Sequence, residues 1–426
     1  MGSLRFPPPD GKRIAAALAV FLAASLALNA ALLVGLTPIL ADYVWYRDAR
    51  AWVSKNLLQR ETADVAAIYQ TSSYTLQPSA RFEPTYTLAG LLQHGYDAEQ
   101  MRQDVSRAMW QGRMERGPFD LEEGELEEED RFLRIRISYV TQPGVRIPAY
   151  LLEPKTPPPW PAVLVVHGCG YGKAGPAGVI EDQHRSIGVE LANAGFLVLV
   201  PDRRGFGELQ PVPHYIAPDC TGGLRDGRTM LNRDAFTRYH VDLRSLDVFD
   251  LLVAAEYLSS REDVTALGIA GLSGGGVVAQ YVAGMSDDIE AVVLSNSMSI
   301  SEALYSQALE GADPPPASPA FNEMPRTPGE WAAWRRTEVF SALGTIMDSV
   351  ALVPLVMLPP KAVLVQYGDS DDVNYLRGGQ NAIELVKTIY EARGLGDLVE
   401  VSIEPGGHEF FPGPVIAFFK MRLGAS

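Results

Sequence analysis

Ala266-Leu267-Gly268-Ile269-Ala270-Gly271-Leu272-Ser273-Gly274-Gly275-Gly276-Val277-Val278-Ala279-Gln280-Tyr281-Val282-Ala283 is the stretch that decides the fold. Residues 266–270 read as a short apolar strand and 276–283 as a helix. Between them Gly271-Leu272-Ser273-Gly274-Gly275 matches G-x-S-x-G. In a strand-turn-helix, such a pattern thrusts a nucleophilic serine out on a tight turn. Glycines are required because side chains there would collide with neighbouring elements. The N-terminus of the helix also favours negative charge developing beside the serine. Ser273 is therefore the candidate nucleophile, and the Gly274 N–H a candidate oxyanion donor.

Working outward, continuous apolar runs alternate with helical periodicity. Strands are predicted at 162–166, 196–200, 291–294, 362–367 and 398–403, and helices at 180–194, 243–258, 382–393 and 415–422. Strands that are apolar throughout, separated by helices, imply a mostly parallel sheet with helices on both faces. Before them, Leu133, Ile135, Ile137 and Tyr139 alternate with Arg134, Arg136 and Ser138, which predicts a half-buried strand. Gln142-Pro143-Gly144 turns the chain into a returning strand at 145–152, so an antiparallel edge opens the sheet.

A nucleophilic serine needs a base, which in this chain order follows it. Of six histidines only His408 follows Ser273, in Pro405-Gly406-Gly407-His408-Glu409, after the last strand and before the final helix. The acid is expected after strand 362–367, in Gly368-Asp369-Ser370-Asp371-Asp372. Spacing from the strand-end glycine favours Asp371, with Asp372 and Asp369 as alternatives. Its task is to hold the imidazole tautomer and stabilise the imidazolium. Strand 162–166 ends in His167-Gly168-Cys169-Gly170, a turn that presents backbone N–H groups. The predicted oxyanion hole is thus the N–H of Cys169 with that of Gly274, and His167 is read as a structural turn residue.

Several chemistries are excluded. Gly172-Lys173 is followed by Ala174, so the glycine-rich segment is not a phosphate loop. The run from Asp369 lacks the glycine and the glutamate of a calcium loop. Neither H-E-x-x-H nor C-x-x-C occurs, so no metal and no cofactor are expected. With 36 Lys+Arg against 52 Asp+Glu the chain carries a formal charge of −16, which argues against a nucleic-acid partner. Eight of those acids lie between Asp120 and Asp130, read as a solvated loop. Two cysteines, Cys169 and Cys220, exclude a disulfide framework but permit one bridge.

Residues 14–36 are 23 mostly apolar residues, preceded by Arg5, Lys12 and Arg13 and followed by Asp42. About 20 such residues cross a membrane. The basic flank predicts a cytoplasmic tail, so residues 1–41 are read as tail plus transmembrane anchor, with the catalytic domain periplasmic or extracellular. The alternative is secretion after signal cleavage, for which the end of the apolar run offers no small-x-small site. Residues 42–131 read as a helical region packed on the core. Within it a helix starts at Asp97, with Gln100 three residues on and Met101, Val105 and Met109 on one face. It is expected to stop near Gly117-Pro118. Residues 132–426 form the catalytic domain. Two long stretches interrupt it, 205–240 and a lid-like insertion at 297–360 whose Trp331, Trp334 and Phe340 are read as lid packing.

From 133 to 419 the chain resembles the α/β-hydrolase superfamily, within it the dienelactone hydrolase and acetyl xylan esterase-like branch. The resemblance rests on ordered motifs: Gly144-Val145-Arg146-Ile147-Pro148-Ala149-Tyr150-Leu151, His167-Gly168-Cys169-Gly170, Asp202-Arg203-Arg204-Gly205-Phe206-Gly207 and Asp242-Leu243-Arg244-Ser245-Leu246-Asp247, then the serine turn, Gly368 to Asp372, and Gly407-His408. It implies an α/β-hydrolase fold and a Ser273–Asp371–His408 triad with backbone donors at Cys169 and Gly274. It also implies carboxylic ester hydrolysis through an acyl-enzyme, on a small-molecule ester. A peptidase or amidase on the same triad, or a hydrolase-like module that only binds, are the alternatives.

Overall fold

A computed structural model defines residues 86–110, 116–117, 119–209, 243–298, 352–371 and 376–424. The elements are α1 (Leu88–His94), α2 (Ala98–Trp110), β1 (Leu121–Glu128), β2 (Phe132–Gln142), β3 (Val145–Pro154), β4 (Trp160–Val166), α3 (Ile187–Asn193) and β5 (Leu197–Pro201). They continue with α4 (Leu243–Ser259), β6 (Val264–Leu272), α5 (Gly274–Met285), β7 (Ile289–Ser295), α6 (Val353–Met357), β8 (Ala362–Gly368), α7 (Leu376–Glu391), β9 (Val399–Glu404) and α8 (Pro412–Leu423).

The strands form one sheet in the order β1-β2-β3-β5-β4-β6-β7-β8-β9. From β5 to β9 every neighbour is parallel, while β1, β2 and β3 add an antiparallel edge. The apolar runs are continuous because both faces are covered. In β4, Ala162, Leu164 and Val166 enter one core, and Val163 and Val165 the other. β8 divides likewise, with Val363, Val365 and Tyr367 on one side and Ala362 and Leu364 on the other. Successive side chains of a strand point to opposite faces, and each buried aliphatic side chain contributes about 1.5–3 kcal/mol. Helices α3 and α8 cover one face; α1, α2, α4, α5, α6 and α7 supply the core of the other. This is the α/β-hydrolase-like architecture the sequence predicts.

Helix α2 starts as expected. The Asp97 carboxylate accepts from the Gln100 N–H at 3.0 Å, and Met101, Val105 and Met109 are buried. Residues 111–115, where that helix was expected to run on, lie outside the described residues.

Two expectations are corrected. The acidic stretch is a strand, not a loop: β1 pairs antiparallel with β2 along its length. The open ladder edge of β2 supplies backbone partners, and cations pair with several of the carboxylates. Arg134 pairs with Glu127 and Glu129, Arg146 with Asp120 and Glu122, and Lys155 with Glu128. An exposed, charged edge strand also discourages pairing with another sheet. The second correction concerns helix 180–194. Only Ile187–Asn193 is helical. Arg185 and Ser186 have φ of 50° and 49°, outside the right-handed helical region, and the turn they close has polar duties described below.

At the end of the 297–360 insertion, α6 is buried along its length and packs on α5, where a Cβ on Gly284 would lie 2.7 Å from Met357 Cβ. Residues 210–242 and 299–351, with Trp331, Trp334, Phe340 and Cys220, lie outside the described residues, as does the apolar stretch 14–36. Among the described residues no helix is long and apolar enough to cross a membrane, and no group of three or more His, Cys, Asp and Glu is placed to hold a metal ion.

Candidate active site

Ser273 stands between β6 and α5 with φ 54° and ψ −127°, a strained conformation for a residue with a side chain. Close packing explains the surrounding glycines. A Cβ on Gly271 would lie 2.5 Å from Gly276 Cα, and one on Gly275 2.4 Å from the carbonyl oxygens of Val166 and His167. The serine turn is thus pressed against the end of β4. The Ser273 N–H donates to Ser295 O at 2.9 Å, which fixes the turn to β7.

The candidate acid and base follow β8 and β9. Asp371, its side chain buried, accepts from His408 Nδ1 at 3.0 Å (Oδ2) and 3.1 Å (Oδ1). Nδ1 therefore carries the proton, and Nε2 is left as the basic nitrogen. Asp369 is engaged elsewhere: its carboxylate is exposed and accepts from Gly406 N and Ser370 Oγ, and those bonds hold it below the usual carboxylate range. Asp372 lies outside the described residues. The histidine loop is brought to the serine by β7. Ser295 Oγ and Asn296 Nδ2 both donate to Glu409 O, at 3.3 and 2.6 Å, while Asn296 Oδ1 accepts from Gly368 N at 2.9 Å. Gln366 adds a pair of bonds to Phe411. Among the described residues, His408 bonds Asp371 and makes no hydrogen bond to Ser273 Oγ.

On the other side lies the turn after β4. A Cβ on Gly168 would sit 3.1 Å from Ser273 Cβ, so His167-Gly168-Cys169 runs directly beside the nucleophile. His167 is structural, as expected. It is buried, its Nε2 accepts from Arg203 N at 2.9 Å, and its Nδ1–H reaches Gly168 O. Arg203 donates to His167 O at 2.9 Å and pairs with Asp247 at 3.1 Å. Arg204, wholly buried, forks onto Asp250 and Gln142. Arg203, held by Asp247, thus braces the turn after β4 from behind, while Arg204 ties its own segment to α4 and the end of β2. Cys169 is disulfide-bonded, and the chain's other cysteine is Cys220.

Sequence reasoning missed Asn296, Gln366 and a second Asp–His pair, Asp182 with His184, and gave Arg203 no role of its own. Each makes its contacts across elements distant in sequence. Asp182-Gln183-His184 does carry an Asp-x-His spacing, the one local signal available for that pair.

The dienelactone hydrolase family pattern matches residues 147–307, which span the turn after β4, the arginine motif and Ser273. No curated protein matches the sequence. Among solved structures, a methylesterase superposes with a TM-score of 0.53 at 16% identity, over 78% of this chain and 66% of its own. A Bacteroides fragilis protein assigned as an acetyl xylan esterase superposes with a TM-score of 0.51 at 13% identity, over 84% of this chain and 88% of its own. At such identities the likeness is one of fold. Residues 147–307 thus match the dienelactone hydrolase family, on an α/β-hydrolase-like fold.

Proposed function

We propose that the chain is a serine hydrolase that cleaves carboxylic esters through an acyl-enzyme. His408 Nε2 takes the proton of Ser273, whose Oγ attacks the ester carbonyl. The N–H groups of Cys169 and Gly274 receive the oxyanion, and Asp371 stabilises the imidazolium. His408 then protonates the departing alcohol and activates the water that releases the acid. The observation that carries this reading is the Asp371–His408 pair, hydrogen-bonded at the end of the sheet where Ser273 stands on its strained turn. The dienelactone hydrolase match supports the ester class, and both structural neighbours bear esterase names.

A fluorophosphonate probe tests it on the full chain, wild type beside Ser273→Ala, together with turnover of p-nitrophenyl acetate. Labelling and turnover in the wild type, both lost in Ser273→Ala, are expected. A folded wild type that neither labels nor turns over would refute the reading.

The same proposal places the enzyme on a membrane, through the apolar stretch 14–36, with its catalytic domain outside the cytoplasm. The uninterrupted apolar run with its basic flank supports this. So does the disulfide at Cys169, a bond that persists in oxidising compartments. Carbonate extraction of membranes, with the chain staying in the pellet, is the expected result.

A further inference from the structure

Four consecutive residues, Asp182 to Arg185, touch both halves of the candidate site. His184 is fully buried, and its Nε2 accepts from the Gly168 N–H at 2.8 Å. Its Nδ1 therefore holds the proton and donates to Asp182 Oδ1 at 2.8 Å, an oxygen that also accepts from the His184 N–H. Gln183 Nε2 donates to Cys169 O, and Gln183 O accepts from Phe410 N at 3.0 Å, two residues beyond the candidate base. Arg185 pairs with Glu409.

The segment is held in a form that ordinary helix packing would not select. Arg185 and Ser186 both have positive φ, and Asp182 Oδ2 is buried without a hydrogen-bond partner among the described residues. Gly175 is tailored to it, since a Cβ there would lie 2.2 Å from Asp182 Oδ2. Strain and an unsatisfied buried oxygen persist only where surrounding contacts over-determine them, and they cluster at functional sites.

We propose that the Asp182–Ser186 turn is the positioning element of the oxyanion hole, with His184 as its key positioning residue. By accepting the Gly168 N–H, His184 removes that group from the oxyanion and fixes the His167–Gly168 peptide plane, the one immediately before the plane that carries the Cys169 N–H. The next N–H in the chain, that of Cys169, is thereby set beside Ser273. Gln183 holds the same turn by the Cys169 carbonyl and fastens it to the loop of His408. The neutral Nδ1–H tautomer is essential, because only then does Nε2 accept. Asp182 enforces it. His184 touches no reacting atom; it acts through the backbone of Gly168 and Cys169.

The inference rests on the serine-hydrolase reading, and its test separates the two. Full-length wild type, His184→Ala, His184→Gln and Gln183→Met are compared for kcat and KM on p-nitrophenyl acetate, and for inhibition by a phenylboronic acid, which forms a tetrahedral adduct on the serine. Loss of one oxyanion donor lowers kcat about 10²–10³-fold. His184→Ala is expected to lose kcat by about that factor, with KM changed less than about threefold and boronate affinity falling in parallel. Glutamine places an acceptor oxygen where Nε2 lies, so His184→Gln should recover to within about tenfold of wild type. Gln183→Met, a milder change, should lower kcat about tenfold at unchanged KM. A folded His184→Ala with wild-type kcat overturns the inference, as does equal loss in His184→Ala and His184→Gln. Should His184→Ala fail to fold, wild-type kcat in Gln183→Met overturns it. Absence of turnover in the wild type itself would instead defeat the serine-hydrolase reading.

Discussion

The buried pair Arg204–Asp250 permits a quantitative test of how the site is supported. Arg204 has no exposed surface; it donates to Asp250 through Nε at 2.6 Å and NH2 at 2.8 Å, and to Gln142 at 2.6 Å. Asp250 also accepts from Thr141 Oγ1 at 2.6 Å. Replacing Arg204 by Met leaves a buried carboxylate with a single hydroxyl donor. Breaking such a pair from one side costs about 3–5 kcal/mol, because the orphaned charge stays desolvated. Burial already raises the Asp250 pKa in the intact protein, against the lowering effect of Arg204. Without Arg204 it rises further above the unfolded value. The folded chain then binds the extra proton at intermediate pH, so the destabilisation is full above the folded pKa and shrinks as the pH falls toward the unfolded one. Urea unfolding of the full chain by tryptophan fluorescence, at pH 7 and pH 5, measures this. Arg204→Met should be less stable by about 3–5 kcal/mol at pH 7 and by distinctly less at pH 5. The double variant Arg204→Met/Asp250→Asn removes both charges and should be more stable than the summed single losses predict, by about 2–4 kcal/mol. Single losses under about 1 kcal/mol, or additivity within about 0.5 kcal/mol, would refute the claim that these charges depend on each other.

Two further outcomes are expected. Asp371→Asn should lower kcat by about four orders of magnitude in a folded protein, by offering the wrong imidazole tautomer a partner. Asp369→Asn, altering an exposed turn, should leave kcat within a few-fold; the reverse ranking would reassign the acid. Lys361, 7% exposed with its Nζ on Ile289 O, has its pKa lowered from 10.5 to about 8 by burial, with Arg102 adding repulsion. Between those pH values the unfolded chain binds more protons than the folded one, so stability should rise with pH across that window. The fall corresponds to ~3 kcal/mol. Lys361→Met, losing one hydrogen bond, should therefore be more stable than wild type at pH 7 by about 1–2 kcal/mol, an advantage that fades toward pH 10.5. An unfolding series over pH that shows the same difference throughout would contradict this.

The strand-turn-helix around Ser273, the parallel sheet and the place of His408 were legible from the residues alone. Those features are local. Apolar strands declare double-sided burial, a glycine-bracketed serine declares a turn with no space for a Cβ, and chain order placed His408 after the last strand. Three carboxylates follow β8 within four residues, and nothing in their order excluded any of them. Spacing favoured Asp371; the different partners of Asp369 and Asp371 came from β9 and the loop after it, whose Gly406 N–H captures one and whose His408 captures the other. The acidic segment Asp120–Asp130 read as a loop because its charges have no local partner; β1 exists because Arg134, Arg146 and Lys155 stand on β2, β3 and just beyond, beside an unpaired ladder edge. The turn at Asp182–Ser186 was hidden for the same reason. Its helical periodicity is real, but Gly168, Cys169 and Phe410, which claim its polar groups, lie 14 to more than 220 residues away in sequence. Periodicity and sterics along the chain determined the elements and singled out the candidate nucleophile. Which polar groups meet across the sheet was decided only by the tertiary structure, because a buried hydrogen bond selects its partner by position in space rather than by order in the chain.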